Sequence, residues 1–369
     1  MTCANARPLR EPGRSQVYRL AVSGGRAPSV ILKAPVADEP APQSAQDRLC
    51  NEWAGCAMLG TLGLGPQPIA GDTEALFCLM EDLGAGETLA DALTSDDPDR
   101  ATASLFAYAR GLGAMHAATQ GQEARWASLR RERGGSETTE PRSAPWRRDA
   151  ARFDEWRRDL GVASSVSLDD DLARIAAALD EPGAYLAFSP TDCCPDNHFR
   201  RGEGVVFFDF EGATMRHALI DVSYFLAPFP TCWCSSRLPA GLPERLIAAY
   251  REAFPGGADF DEQLTLMLAS WIVSAGGRML GGWVAGAGAR WSDLGAADWK
   301  WGLASIRQRV VALAGNVLAR QNLDATLPAF AHVLRGLQPL LRRHWEGVAP
   351  LPLYPAFAAS EVAAPAALT

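Results

Sequence analysis

The chain has 369 residues, and its 35 basic and 43 acidic residues give a formal net charge of −8. This length predicts one large bilobal unit or two domains, and 48% hydrophobic residues are enough for a sizeable core, which excludes general disorder. The acidic balance disfavours nucleic acid as a partner, because a nucleic-acid binder presents a basic face.

The sequence predicts neither a membrane anchor nor a secretion signal. No apolar run reaches the roughly 20 residues needed to span a bilayer, and residues 1–14 lack an apolar signal core. We therefore expect a cytoplasmic protein with no membrane partner. In that compartment its eight cysteines are expected to be reduced thiols rather than a disulfide framework.

The start of the chain predicts a small β-rich lobe. Alternating apolar residues at 17–22 predict a strand, and a Ser-Gly-Gly turn joins it to a second strand at 29–33. The helical spacing of apolar residues predicts a helix over 45–62. A short continuous apolar run at 75–80 is typical of a buried strand. These elements assign residues 1–82 to one domain.

The remaining residues, 83–350, predict a larger and mostly helical lobe. An Ala-rich amphipathic pattern over 99–119 predicts its first long helix. Residues 127–150 are charged and interrupted by Gly and Pro, so we expect a mobile insertion or loop there. The Pro/Ala-rich end of the chain, 351–369, is expected to form a flexible tail.

A second hairpin is predicted near the middle of the chain, and it brings two polar side chains together. The four residues 201–204 contain two glycines and lie between two strand-like runs. Pairing Arg200 with Val206 continues backwards along the ladder to pair Asn197 with Asp209. Directly opposed residues have Cβ atoms about 5 Å apart, so we expect an amide and a carboxylate at the open end of this hairpin.

This pair of oxygen-bearing side chains suits a hard divalent cation. Mg²⁺ prefers oxygen ligands and is held in proteins by one or two carboxylates together with nucleotide phosphates. Asp192 precedes Asn197 by five residues in the same loop, which leaves its carboxylate available to orient a substrate hydroxyl. In phosphoryl transfer the protein mainly positions the nucleophile and neutralises charge, and these residue types suit that work.

The sequence of this region resembles that of a known family. The spacing Asp-x-x-x-x-Asn at 192–197, followed by Phe-Asp-Phe-Glu-Gly at 208–212, resembles the catalytic and metal loops of the aminoglycoside phosphotransferase and choline kinase family. Upstream motifs occur in the order that the family has, so the resemblance runs over roughly residues 11–230.

The resemblance implies an α+β, bilobal protein-kinase-like fold with a small β-rich N-terminal lobe and a larger helical lobe. It implies a phosphotransferase that uses ATP, or GTP, with Mg²⁺. Asp192 is implied as the catalytic residue, and Asn197 and Asp209 as the metal ligands. The implied acceptor is a small molecule with a hydroxyl group. The resemblance indicates neither a particular acceptor nor an oligomeric state.

The same resemblance assigns nucleotide binding to the small lobe. The residues implied to bind the nucleotide are Ser15, Lys33, Glu52, Met80, Glu81 and Leu83. Ser15 lies in the abbreviated nucleotide loop, and Lys33, one of only two lysines, resembles the strand lysine that reaches the phosphates. Glu52 lies on the next helix, where the ion-pair partner of that lysine is found. The last three residues belong to a segment that resembles the hinge, whose backbone holds the adenine.

Two acidic residues beyond the metal loop have less direct roles. Asp221 resembles the buried aspartate that follows in this family, and we expect it to brace the loop that carries Asp192. Glu211 is expected either to assist the metal site or to serve the structure. The helix end at 113–116 resembles the segment of the family that is usually read as Leu-His.

The chain departs from the family at the two residues before Asp192. The family usually has His-Gly there, where the histidine braces the loop and the glycine gives backbone freedom, and this chain has Pro190-Thr191. Pro190 would instead stiffen the loop by fixing its φ angle. This departure favours a second hypothesis, a catalytically impaired pseudokinase that acts as a nucleotide-binding or regulatory module.

Four cysteines favour a third hypothesis, a thiol-metal or redox module. Cys193 and Cys194 lie in the same loop as Asp192, and Cys232 and Cys234 lie in a later segment. If these pairs met, their soft sulfur ligands would suit Zn²⁺. Neither pair has the usual Cys-x-x-Cys spacing, so small buried thiols are the preferred interpretation.

Overall fold

The computed structural model describes residues 2–10, 13–25, 27–36, 43–137, 140–164, 167–274, 298 and 300–362. Parts of the predicted insertion and tail, at 138–139 and 363–369, lie outside these residues. Within the described part of the chain, no helix is both long and apolar enough to cross a membrane.

A five-stranded antiparallel sheet forms the N-terminal part of the fold, with the order β1-β2-β3-β5-β4. Its strands are β1 (Thr2–Pro8), β2 (Ser15–Ser23), β3 (Ser29–Pro35), β4 (Pro68–Asp72) and β5 (Phe77–Glu81). The predicted hairpin and the predicted buried strand are confirmed as β2, β3 and β5. The two edge strands, β1 and β4, are largely exposed and therefore lack the alternating apolar pattern that predicts a strand.

The predicted helix over 45–62 is confirmed as α1 (Ala45–Gly60), which connects β3 to β4 and packs against the sheet. It begins after Ser44, whose hydroxyl oxygen accepts a hydrogen bond from the backbone N–H of Asp47 at 3.0 Å. The helix buries Leu49 and Met58, and it buries the polar Glu52 as well. A carboxylate is thereby held inside the small lobe.

Helices dominate the rest of the described chain. They are α2 (Leu89–Thr94), α3 (Pro98–Thr119), α4 (Glu123–Arg131), α5 (Ala144–Asp159), α6 (Leu168–Asp180), α7 (Leu219–Val222), α8 (Leu242–Ala253), α9 (Phe260–Ser274), α10 (Ile306–Leu318), α11 (Leu323–Thr326), α12 (Pro328–His344) and α13 (Pro355–Val362). The predicted long helix is confirmed as α3, which packs against α8. Gly113 permits this close approach, because a Cβ there would lie 2.5 Å from the carbonyl oxygen of Tyr250.

Short strand pairs in the helical part carry the polar residues of interest. β6 (Leu186–Ser189) pairs with β9 (Thr214–His217), β7 (His198–Arg201) with β8 (Gly204–Phe207), and β10 (Lys300–Trp301) with β11 (Ala304–Ser305). The predicted second hairpin is confirmed as β7–β8, but its predicted register is wrong by one residue. Arg200 pairs with Val205, because Gly202 adopts φ 58° and allows a two-residue connection.

Residues 127–150 do not form the continuous loop that their charge and glycines predict. Most of α4 and the first part of α5 lie inside this range. The polar composition hides one apolar anchor, Trp146, which is buried together with Phe153 and Trp156 farther along α5. The indole N–H of Trp146 donates to the carbonyl oxygen of Ser270 at 3.2 Å, so tertiary packing overrides the local sequence signal.

The predicted flexible tail is also wrong where the structure describes it. Leu351, Tyr354 and Phe357 are buried, and α13 packs against α2 and α3. The backbone N–H of Arg237 donates to the carbonyl of Pro352 at 2.7 Å, which fixes the start of this segment. Spaced apolar anchors within a Pro/Ala-rich sequence are enough to dock the segment.

Candidate active site

Asp192 lies in the loop that joins β6 to β7, residues 190–197, which we name the Asp192 loop. One carboxylate oxygen of Asp192 accepts from the backbone N–H of Cys194 at 3.3 Å, and the Asn197 side chain donates to the Asp192 carbonyl at 3.1 Å. The side chain of Asp192 reaches solvent, yet surrounding protein atoms desolvate it. This desolvation, together with the nearby charges of Asp209 and Asp196, raises its pKa to about 6.

Asp209 follows the β7–β8 hairpin and lies close to Asn197, although the two are not directly opposed. The backbone N–H of Phe208 donates to the carbonyl of Asn197 at 3.1 Å, so Asp209 is the next residue beyond the last bonded position. Asp209 adopts φ 68°, in the left-handed region that Asp tolerates better than most residues. The ladder thus ends at Phe208, and Asp209 turns out of it toward the small lobe.

Lys33 joins the small lobe to this loop. Its ammonium lies 2.6 Å from an oxygen of Glu52 and 2.5 Å from an oxygen of Asp209, and the side chain is 7% exposed. Burial alone would lower the pKa of Lys33, but the carboxylates of Asp209, Glu52 and Glu211 outweigh it and raise that pKa. The predicted Lys33–Glu52 ion pair is present, and Lys33 is charged at neutral pH.

Glu52 also positions the backbone next to Asp209. The oxygen of Glu52 that binds Lys33 accepts from the backbone N–H of Phe210 at 2.7 Å. Phe210 is fully buried and packs closely over Gly55 of α1. A Cβ added at Gly55 would lie 2.5 Å from the Cβ of Phe210. These contacts fix the residue after Asp209 against the helix that carries Glu52.

Ser15 and Glu211 form a second polar contact between the lobes. The buried hydroxyl of Ser15 donates to one Glu211 oxygen at 2.7 Å, and a guanidinium nitrogen of Arg14 lies 3.0 Å from the other. The Asn51 side chain donates to the Glu211 backbone carbonyl at 3.1 Å. Glu211 therefore has a structural role here, and the Ser15 hydroxyl is engaged with it.

The three predicted hinge residues lie where the sheet meets the helical part. Met80 is buried in β5, and its sulfur lies 3.9 Å from the Cys56 sulfur. A side-chain oxygen of Glu81 accepts from the backbone N–H of Gln67 at 3.1 Å. The carbonyl of Leu83 accepts from Arg201 at 2.7 Å, which links this segment to the β7–β8 hairpin.

A buried polar network supports the Asp192 loop from behind. Asp221 is fully buried, and its carboxylate bonds the Arg216 guanidinium and lies 3.2 Å from Nε2 of His116. Burial alone would raise the pKa of Asp221, but Arg216 and His116 hold it well below its usual range. Arg216 also donates to the carbonyl of Thr191 at 3.3 Å. The expectation that Asp221 braces this loop agrees with these contacts.

Sequence reasoning singled out Thr191 in the place of the family's glycine but missed its contacts, and it missed Arg216 altogether. Arg216 carries the contact between Asp221 and the loop, and Thr191 adopts φ 62°, the left-handed conformation that a glycine would adopt freely. The hydroxyl of Thr191 donates to the Gly212 carbonyl at 2.9 Å. The position of Thr191 in the place of the family's glycine was a usable signal for the backbone conformation, whereas nothing in the local sequence singles out Arg216.

The cysteine predictions need a correction. Cys194 and Cys232 form a disulfide, so the expectation of reduced thiols is wrong for this pair. Cys193 and Cys234 are buried free thiols. Among the described residues, the grouping of metal-binding side chains is Asp192, Cys194 and Cys232, so the four cysteines do not converge as a zinc site. The two bonded cysteines are 38 positions apart in the sequence, which explains why the sequence alone did not predict the pair.

A family model described as "phosphotransferase enzyme family" matches residues 6–261, more than half of the chain. This range contains each of the predicted site residues. Together with the sheet and helices described above, the match confirms the predicted α+β, bilobal protein-kinase-like fold. A comparison of the chain with curated protein sequences finds no match.

Several solved structures are similar to this chain in fold, at low sequence identity. Macrolide 2'-phosphotransferase MphH from Brachybacterium faecium is 18% identical, with 74% of this chain and 84% of that chain covered and a TM-score of 0.46. Choline kinase LicA from Streptococcus pneumoniae is 13% identical, with 85% and 93% covered and a TM-score of 0.43. A choline/ethanolamine kinase family protein from Mesorhizobium loti is 15% identical, with 91% and 93% covered and a TM-score of 0.45.

Proposed function

We propose that this chain, which belongs to the phosphotransferase enzyme family, transfers the γ-phosphoryl group of ATP to a hydroxyl group of a small molecule in a Mg²⁺-dependent reaction. One observation carries the proposal: Lys33 lies between Glu52 and Asp209, and Asp209 is close enough to Asp192 to raise its pKa. A buried cation and the carboxylates proposed to bind the metal and to accept the proton are thereby grouped where the two lobes meet.

Asp192 is proposed to bind and orient the acceptor hydroxyl. The hydroxyl oxygen forms a bond to the γ-phosphorus, the bond from that phosphorus to the β–γ bridging oxygen breaks, and ADP leaves. The hydroxyl proton passes to the Asp192 carboxylate. A pKa of about 6 supports this role, because the group is mostly ionised at neutral pH and is a better proton acceptor than an ordinary aspartate.

The residues near Asp209 fit Mg²⁺ by the chemistry of their donor atoms. The Asn197 amide nitrogen donates to the Asp192 carbonyl, which leaves the amide oxygen available as a ligand. Asp209 supplies a carboxylate beside it, and such oxygen donors suit a hard divalent cation. When bound, Mg²⁺ would neutralise phosphate charge. Asn197 and Asp209 would hold it.

The small lobe is proposed to bind the nucleotide. Lys33 would contact the α- and β-phosphates, and Glu52 would hold Lys33 in position through their 2.6 Å contact. Ser15 would border the phosphates while its hydroxyl stays with Glu211. The backbone of the segment with Met80, Glu81 and Leu83 would bind the base, with GTP as an alternative nucleotide.

A pseudokinase is the second candidate, and Pro190 and Thr191 favour it. Against it stand the bonds that hold the loop in shape without the family's His-Gly. Arg216 binds the Thr191 carbonyl, and the Thr191 hydroxyl binds the Gly212 carbonyl. These bonds support an active loop conformation.

The proposal is tested by measuring ADP release with Mg-ATP across a set of amino-alcohols, antibiotics and sugars. Compounds are first selected by thermal shift in the presence of a non-hydrolysable nucleotide and Mg²⁺. We expect at least one acceptor to yield a phosphorylated product by mass spectrometry, and Asp192→Asn to abolish that product. Nucleotide binding without transfer to any acceptor, unaffected by Asp192→Asn, would favour the pseudokinase.

A further inference from the structure

The Cys194–Cys232 disulfide lies directly beside the Asp192 carboxylate. A carboxylate oxygen of Asp192 and the two sulfurs all lie within 4.8 Å of one another. Phosphoryl transfer requires none of this sulfur chemistry, and the disulfide itself offers no ligand for a metal ion. Reduction would change that, because it converts the two sulfurs into thiols that become strong soft ligands when deprotonated.

We propose that Asp192, Cys194 and Cys232 form, once the disulfide is reduced, a binding site for one thiophilic divalent cation such as Zn²⁺. Two thiolates and one carboxylate would bind the ion, and the fourth tetrahedral position would remain open to water. A reducing dithiol supplies two electrons and two protons to the disulfide and is itself oxidised to a cyclic disulfide. The two new thiols then release two protons as the ion binds.

Hydrogen bonds to their backbone carbonyls hold both cysteines in place independently of the disulfide. The carbonyl of Cys194 accepts from the backbone N–H of Asn197 at 3.0 Å. The carbonyl of Cys232 accepts from the buried guanidinium of Arg309 at 2.6 Å. Neither bond involves sulfur, so both persist when the disulfide opens. The two thiols would therefore stay close to each other and to Asp192.

A side-chain bond also links the two segments directly. The indole N–H of Trp233, the residue after Cys232, donates to a carboxylate oxygen of Asp196 at 2.8 Å. Asp196 lies in the Asp192 loop, two residues after Cys194. This bond spans the same gap as the disulfide, so reduction alone does not release one segment from the other.

The location of the site indicates how an ion would enter and how it would affect phosphoryl transfer. Cys194 and Cys232 are buried, whereas Asp192 reaches solvent, so a metal ion would enter from solvent past the carboxylate. Sulfur ligands select a soft ion over Mg²⁺, which would use the oxygen donors of Asn197 and Asp209. If Asp192 has the role proposed above, an ion held here would occupy the group that accepts the hydroxyl proton and would inhibit transfer.

The test measures metal binding directly and does not depend on activity. The full chain is fully reduced with dithiothreitol, freed of reductant without air, and titrated with Co²⁺ and then Zn²⁺ against a chelator of known affinity. We expect one Co²⁺ per chain with thiolate-to-cobalt charge-transfer absorption, displacement by one Zn²⁺, and release of two protons. Excess Mg²⁺ should leave these results unchanged.

Matched controls separate this site from other thiols. The oxidised protein, with an identical sequence, is expected to bind no Zn²⁺ at the same micromolar concentration. Cys232→Ser should lose the charge-transfer band, and Cys234→Ser, two residues away but outside the group, should bind normally. Asp192→Asn removes a direct ligand and should weaken binding by more than the roughly tenfold that loss of an outer-shell partner costs. Absence of stoichiometric binding by the reduced protein, equal binding by the oxidised protein, or an unchanged band in Cys232→Ser would overturn the proposal.

Discussion

The hydroxyl of Thr191 donates a hydrogen bond to the backbone carbonyl of Gly212 at 2.9 Å and so ties the Asp192 loop to the segment that carries Asp209. Thr191 makes this bond with φ at 62°, a left-handed conformation that β-branched residues rarely adopt. It occupies the position where the family usually has glycine. The chain therefore keeps the backbone shape of the loop and adds a side-chain contact across the site.

Two substitutions of Thr191 separate the bond from the backbone strain. Thr191→Ala loses the bond and keeps the unfavourable φ, so we expect its unfolding free energy to fall by about 1 kcal/mol. Thr191→Gly loses the same bond but relieves the backbone, and we expect it to be about 1 kcal/mol more stable than the alanine variant. Denaturant unfolding followed by circular dichroism measures both.

Thr214 in β9 is the control, because its backbone is extended. There the order should reverse, with the glycine variant less stable than the alanine variant. An alanine variant at 191 that is as stable as the glycine variant would show that no strain is stored at Thr191.

Lys33 should matter for stability before any nucleotide binds. Lys33→Met leaves the buried carboxylate of Glu52 and the partly buried carboxylate of Asp209 without their shared cation, while Arg10 remains 3.5 Å from Asp209. Breaking a fully buried pair costs about 3–5 kcal/mol, so we expect a loss of about 3 kcal/mol. The other lysine, Lys300, is exposed, and Lys300→Met should change stability by less than about 0.5 kcal/mol. Thermal and denaturant unfolding of the two variants provide the comparison. Similar small effects for both would show that the Lys33 contacts do not stabilise the fold.

The raised pKa of Asp192 predicts a pH dependence of stability with a definite sign. The folded-state pKa of about 6 lies above the ordinary 3.8, so the folded protein holds the proton more tightly than the unfolded chain. The resulting stabilisation is present below about pH 4 and is lost as pH rises through about 6. Asp192→Asn removes this loss.

We therefore expect Asp192→Asn to be more stable than the unmodified protein at pH 7 and no more stable at pH 4. At the same time it should abolish phosphoryl transfer. Glu203→Gln, at the exposed tip of the β7–β8 hairpin, should show no such pH-dependent gain. If Asp192→Asn and the unmodified protein unfold alike across this pH range, Asp192 has an ordinary pKa.

Local spacing predicted much of the site because several of its parts each lie within one short segment of the sequence. The five-residue step from Asp192 to Asn197 and the strand position of Lys33 followed from single segments. The Lys33–Glu52 pair could be predicted because the helix after the strand has a fixed place in the resembled family. Features of this kind are set within one or two neighbouring elements.

The features that sequence reasoning missed depend on backbone conformation or on distant contacts. The hairpin register differs by one residue because Gly202 makes the turn tighter than its composition indicates. The helix over 144–159 forms because Trp146 reaches Ser270, a contact across more than a hundred residues. Cys194 meets Cys232 only through the folded chain. In the last two cases tertiary packing decides an outcome that local propensity leaves open.

Calorimetric titration of ATP into the protein, with and without Mg²⁺, tests the central claim that Asp209 and its neighbours bind a magnesium nucleotide. For the unmodified protein we expect ATP to bind at least about tenfold more tightly with Mg²⁺ present, a difference of about 1.4 kcal/mol. Asp209→Asn should lose this metal dependence, while Glu203→Gln keeps it. Mg-ATP binding that is undetectable, or that is equally tight in Asp209→Asn, would contradict the account.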